Sequence, residues 1–177
     1  MRYEHIAPAL MSFTIACTAS MQNVCAQSPP ADADPRHSAI YSLLQAGKGR
    51  EALSQLNTVA TPGPWEFYMR GQACQMVGEP VKAAEWYKTA VLQDAQNNLY
   101  RTKAVDALLA ICKCDEAIQL CSDGSKLASD AYQRQRYESK IKDIEKMKQN
   151  LAKGAENIAR HKREHASQLQ QAMETNK

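Results

Sequence analysis

The sequence of 177 residues predicts an all-α fold on three observations. Aromatic residues make up only 6%, with 2 Phe and 2 Trp, too few to furnish the strands of a β-sandwich, while the helix formers Ala, Gln, Lys and Leu are abundant. Glycine and alanine recur at matched positions through the middle of the chain. From Ser125 onward there is no proline and a single glycine, Gly154. A content of 44% hydrophobic and 23% charged residues suits a folded chain, and 7 Gly with 7 Pro exclude a collagenous or proline-rich disordered one. The length fits one domain with an appendage.

The first element, residues 1–26, reads as a signal peptide. A short n-region with Arg2 and Glu4 leads into an apolar run from Ile6 to Met21, shorter than the roughly 20 residues of a membrane-spanning helix. Val24 and Ala26 supply small residues at the −3 and −1 positions, so cleavage would leave Gln27 first. Two other readings of this segment are an apolar helix of a cytosolic protein and, through Thr14 to Cys17, a lipid-bearing cysteine. Residues 27–35, polar and proline-rich, form a flexible tether.

Residues 36–124 carry an internal repeat. Between Pro64 and Ala95, Gly71 and Gly78 stand seven apart, and Ala83, Tyr87 and Ala90 follow at helical spacing. In the next unit Ala117 takes the place of Ala83, inside CDEAIQLC, with the apolar AVDALLAI before it. Upstream, GKGREALSQL puts Gly47 at a turn and Ala52 in the place of Ala83, at a slightly shorter interval, and Pro62, Gly63 and Pro64 separate the two units. The third unit departs from the pattern at two places, with Cys112 at the glycine turn and Val105 at the small crossing position.

Gly71, Gly78, Ala83, Tyr87 and Ala90, with Gly47, Ala52 and Ala117, closely resemble a tetratricopeptide repeat (TPR). The family period of about 34 residues matches the step from Ala83 to Ala117. That resemblance implies a short α-solenoid of three helical hairpins, each burying its apolar face against the next. It also implies that first-helix side chains line a concave groove: His37, Tyr41, Leu44, Trp65, Tyr68 and Met69, then Gln72, Gln75, Met76, Thr102, Lys103 and Asp106. Such a mixture of aromatic, Met and amide side chains suits a peptide or protein segment as partner. The Lys and Asn clamp with which some TPR proteins hold a chain-terminal carboxylate is absent.

Residues 125–177 predict one long charged helix. Tyr137, Ile141, Ile144 and Leu151 form a stripe, preceded by Leu127 and Ala131, that would cap the third hairpin. Lys162 and His165 fall where a coiled-coil seam needs apolar residues, so a projecting, partly frayed end is expected, with a dimeric coiled coil as second choice. Net charge is −2 over residues 27–125 and +5 over 126–177. The basic end admits peripheral contact with anionic lipid or cell wall. It lacks the interleaved aromatics and fold signatures of a nucleic-acid binder, so no nucleic-acid partner is expected.

Chemistry finds little support. His161, Glu164 and His165 follow the order of an inverted zinc-protease motif, but they lie in a charged segment near the end of the chain with only Glu174 downstream, so no metal site is expected. The GKGR turn lacks the flanking residues of a phosphate loop, and no nucleophile stands near a histidine in a recognisable context. Neither catalysis nor a cofactor is expected. Four cysteines would follow the cleavage site. Cys114 and Cys121, seven apart on one helix and so about 10 Å apart, are beyond disulfide reach, which leaves Cys74 with Cys112 or Cys121 as candidates, or small buried thiols instead. The expected role is that of a non-enzymatic adaptor, periplasmic or secreted, in a secretion, pilus or envelope assembly. The alternatives are a cytoplasmic chaperone for an exported client and a structural envelope protein.

Overall fold

The computed structural model describes residues 35–175, and they are all-helical, with no strand among them. Seven helices follow one another: α1 (Pro35–Gln45), α2 (Gly49–Leu56), α3 (Pro64–Met76), α4 (Pro80–Gln93), α5 (Asn98–Ala110), α6 (Cys114–Leu127) and α7 (Ala131–Thr175). Each packs against the next in sequence, and α1 also reaches α3. The segments read as signal peptide and tether lie outside the described residues except for Pro35, the last tether residue, which instead begins α1. No helix among the described residues is long and apolar enough to cross a membrane.

Three turns, α1–α2, α3–α4 and α5–α6, share one backbone geometry. Gly47, Gly78 and Cys112 have φ of 74°, 80° and 59°, the left-handed region that ends a helix in a Schellman motif. Each donates its N–H to the carbonyl three residues back, and the next residue, Lys48, Glu79 or Lys113, donates five back to Leu43, Cys74 or Leu108. These bonds satisfy carbonyls that a helix end leaves open. Five residues beyond each turn stand Ala52, Ala83 and Ala117, each 0% exposed. The spacing read from the sequence therefore corresponds to a repeated local structure, including the position where cysteine replaces glycine.

The other helix starts are capped from the sequence. The Gly63 N–H donates to Glu66 Oε2 at 2.8 Å, with Pro64 at the first helical position, where its missing N–H is harmless. The Asn97 side chain accepts from the N–H groups of Leu99 and Tyr100, and Asp130 Oδ1 accepts from the Gln133 N–H at 2.7 Å.

The core runs through all the interfaces, from Ile40 and Leu44 through Tyr68, Met69 and Tyr87 to Leu108, Cys121, Tyr137 and Ile144. Two close crossings fix its geometry. A Cβ on Gly71 would stand 2.5 Å from the Tyr87 ring, and one on Gly124 would stand 2.7 Å from both the Arg101 Cδ and the Tyr137 ring.

The C-terminal region differs from the single helix expected from residue 125. α6 continues to Leu127, Ala128 turns extended, and α7 starts at Ala131. Leu127 and Ala131, expected on the capping stripe, are exposed. The reason is local: Asp130 followed by Gln133 is a helix-start signal, and the Asp130 cap takes up an N–H that a continuous helix would have used itself. Tyr137 and Ile144 are buried on α6, and Ile141 and Met147 pack beside them. From Leu151 to Glu174 every residue of α7 is exposed, yet the segment stays helical.

Candidate functional site

α5, capped by Asn97, and α7, capped by Asp130, lie side by side along one face, with α6 packed against both. Between them lies an open cleft of about 470 Å³. Its floor is the buried Val105, Cys121 and Tyr137, and its rim carries Thr102 and Asp106 from α5 with Arg136, Lys140 and Asp143 from α7. One end is closed by a short chain of hydrogen bonds, in which the Tyr137 hydroxyl donates to Asn98 Oδ1 at 2.9 Å and Asn98 Nδ2 donates to Gln133 Oε1 at 2.7 Å. Across the middle, Lys140 Nζ meets Asp106 Oδ1 at 3.3 Å, with both side chains more than two-fifths exposed. An ion pair this exposed contributes little stability and opens at little cost.

The Cys121 thiol on the floor is pushed up to about 11, chiefly by burial and also by the nearby Asp106, while Lys140 and Arg101 pull the other way. It is therefore a neutral, weakly nucleophilic group at physiological pH. Two acids and two bases on the rim leave the cleft without net charge. The arrangement is an apolar floor between paired polar edges.

The groove residues expected from the sequence do not form one open surface. Trp65, Tyr68, Met69 and Gln72 are buried at 7%, 1%, 0% and 6% exposure, as is Leu44, so they build the interior between helices and present no open surface. Tyr68 meets the rings of Tyr87 and Tyr100 at centroid distances of 5.7 and 5.1 Å, and its hydroxyl accepts from Gln72 Nε2 at 2.9 Å. The cause is the packing of α4 against both α3 and α5, which brings the three rings together at tilted angles. Burial first, then the neighbouring Tyr100 and Tyr41, push the Tyr68 phenol up to about 12, and burial raises Tyr87 further. Both remain neutral scaffolding. Tyr87 donates to Gln75 Oε1 at 2.7 Å, tying the groove candidate Gln75 to α4.

At the N-terminal end, His37 stacks on Trp65 at 4.4 Å and its Nε2 pairs with the buried Glu66. Tyr41 is half-buried on α1. Met76, 44% exposed, borders a separate shallow cleft beside Gly47 to Glu51 at the start of α2. Lys103 is half-buried outside the α5–α7 cleft. Of the expected set only Thr102 and Asp106 line that cleft.

Its opposite wall was missing from the sequence reading. The start of α7 stands almost one more period beyond those of α3 and α5, and Asp130 with Gln133 marked that start. Arg101 was also missed. It is 2% exposed, its Nη2 donates to Ala95 O at 2.6 Å, its guanidinium carbon lies 5.9 Å from the Tyr137 ring centre, and its Nε has no hydrogen-bond partner.

Of the two cysteine readings, disulfide or small buried thiol, the arrangement is that of the second for Cys74, Cys114 and Cys121, which are buried, and Cys112 is exposed, all four as free thiols. Cys74 sits on α3 beside Glu79, Lys82 and Trp86, Cys121 faces the α5–α7 cleft, and Cys112 is on the exposed α5–α6 turn, so the candidate partners occupy different interfaces. His161 and Glu164 are exposed, 3.4 Å apart, and no cluster of three metal-ligating side chains occurs among the described residues. Comparison with protein-family models gives no match, and comparison with the curated proteins gives none either.

Proposed function

We propose that this chain is a non-enzymatic adaptor whose hairpins form a TPR-like α-solenoid and whose α5–α7 cleft receives an extended or helical segment of a partner protein. The observation that carries this reading is the cleft itself: a buried apolar floor of Val105, Cys121 and Tyr137 under a rim whose exposed Asp106–Lys140 pair can part. The equivalent turns at Gly47, Gly78 and Cys112 support the solenoid. A partner segment would set an apolar side chain on the floor and exchange its own polar groups for the ion pair across the rim. The apolar run and small-residue site before Gln27 support export, hence a periplasmic or secreted adaptor in an envelope or secretion assembly, with N-terminal sequencing from the host expected to find Gln27 first.

The test uses a defined ligand. A segment cross-linked to a photoreactive residue at Thr102 in host cells is identified, synthesised and titrated calorimetrically against the purified chain. Thr102→Trp, at an exposed position that overhangs the cleft, is expected to weaken binding at least tenfold, about 1.4 kcal/mol or more. Gln119→Ala, exposed on α6 and outside the cleft, is expected to leave it unchanged. Equal affinity of the wild type and Thr102→Trp would remove the cleft from the reading.

A further inference from the structure

The buried stripe of α7 does not end where its contact with α6 ends. Lys148 Nζ reaches Asp115 Oδ1 near the first turn of α6, the last tie between the two helices among the described residues, and beyond it the same face of α7 is exposed. Leu151, Ile158, Leu169 and Met173 stand on that face at 47%, 59%, 55% and 71% exposure. Alanines 155 and 166 lie between them, while Lys153, Arg160, Arg163 and Glu164 take the opposite side. Tertiary packing supplies most helical stability in proteins, and no other helix among the described residues covers this stripe.

The spacing of the stripe has a symmetry. From Met147 it steps 4, 4, 3, 4, 3, 4 and 4 residues to Met173, the same forwards and backwards about Arg160. Turned end for end, the helix therefore presents matching positions to itself: Met147 meets Met173, Leu151 meets Leu169, Ala155 meets His165 and Ile158 meets Lys162. We propose that the projecting half of α7 pairs antiparallel with the same segment of a second copy of this chain, centred on Arg160.

Charge selects this direction. A parallel pair sets Lys162 against Lys162 and brings the His165 rings together, and like charges facing across a seam repel. The antiparallel pair lays each Lys162 stem along Ile158 of the other copy, with its ammonium reaching water, and gives His165 the space above a small Ala155. The overlap from Met147 to Met173 is ~39 Å of helix. That length buries on the order of 800 Å² per copy, the size of a standard stable interface. The pairing continues the α6–α7 contact onto a second molecule and leaves the α5–α7 cleft open, so it stands apart from the proposed function.

Sedimentation of the full chain from low to high micromolar concentration tests this, with a Leu151→Glu/Leu169→Glu variant beside it. Both positions are exposed, so the helical body is expected to keep its unfolding midpoint. The wild type is expected to be dimeric, and the variant to dissociate at least tenfold more readily. Direction is read in a Cys112→Ser background, where Leu151→Cys and Leu169→Cys proteins are oxidised separately and as a mixture. Cross-linking in the mixture, and in neither protein alone, is the expected result. A chain monomeric throughout, a dimer indifferent to the double substitution, or self-cross-linking of the Leu151→Cys protein overturns the proposal. So does a monomer whose tail instead binds vesicles of anionic phospholipid and loses that binding in the double variant.

Discussion

Cys112 and Gly71 show how single residues tune the same repeated geometry in opposite directions. At φ 59° a side chain crowds the following carbonyl, a strain that glycine avoids at Gly47 and Gly78. Cys112→Gly is therefore expected to raise stability by about 0.5–1 kcal/mol, seen as a higher urea midpoint with an unchanged slope. Gly71→Ala should act the other way, because its methyl would enter the Tyr87 ring. A loss of about 1–3 kcal/mol is expected from the same measurement, and a neutral result would mean that Tyr87 can swing aside. Both positions were legible beforehand, since the glycine pattern named the turn and the crossing. The buried Arg101 was not. Nothing in its local sequence distinguishes it from a solvated arginine, and its place depends on Gly124 and Tyr137, which only folding brings near it.

Among the elements, α7 shows where periodicity informs and where it misleads. The spacing of Tyr137, Ile141 and Ile144 identified a face that packs on α6, and Ile144 is 2% exposed there. Ile144→Ala is expected to cost about 2–5 kcal/mol, while Ile158→Ala, one stripe position into the projecting half, should leave the unfolding midpoint of the helical body within about 0.5 kcal/mol at dilute, monomeric concentration. Thermal melts of the two variants compare them directly. The groove was mislaid for a related reason. The positional template named which side chains leave the first helices on one face, but the packing of Tyr68 against Tyr87 and Tyr100 closes the middle of that face, and the larger cleft opens where α5 meets α7. Exposure depends on how far apart neighbouring helices stand, which the spacing within one helix does not record.

For the whole molecule, contacts run mainly between successive helices, so stability should be graded along the chain. Among the described residues α1 packs against α2 and, lightly, α3, whereas α3 to α6 have packed neighbours on both sides. Native-state hydrogen exchange is expected to show α1 amides opening well below the global free energy and α3–α5 amides opening near it. Uniform protection would instead indicate one cooperative block. The all-α class and the three equivalent turns were readable from composition and spacing, because a helix hairpin is specified locally. Where the open cleft lies was not readable, because a cleft belongs to the assembled helices.

Packing mainly between successive helices also bears on how the molecule could be lengthened. Since α5 and α7 begin almost the same number of residues after α3 and α5, a second copy of residues 98–130 spliced in ahead of Ala131 would offer α7 the α6 surface it already packs on, while the added α5 would meet α6 in place of α4. Duplication of such a unit therefore needs new fitting at one seam only.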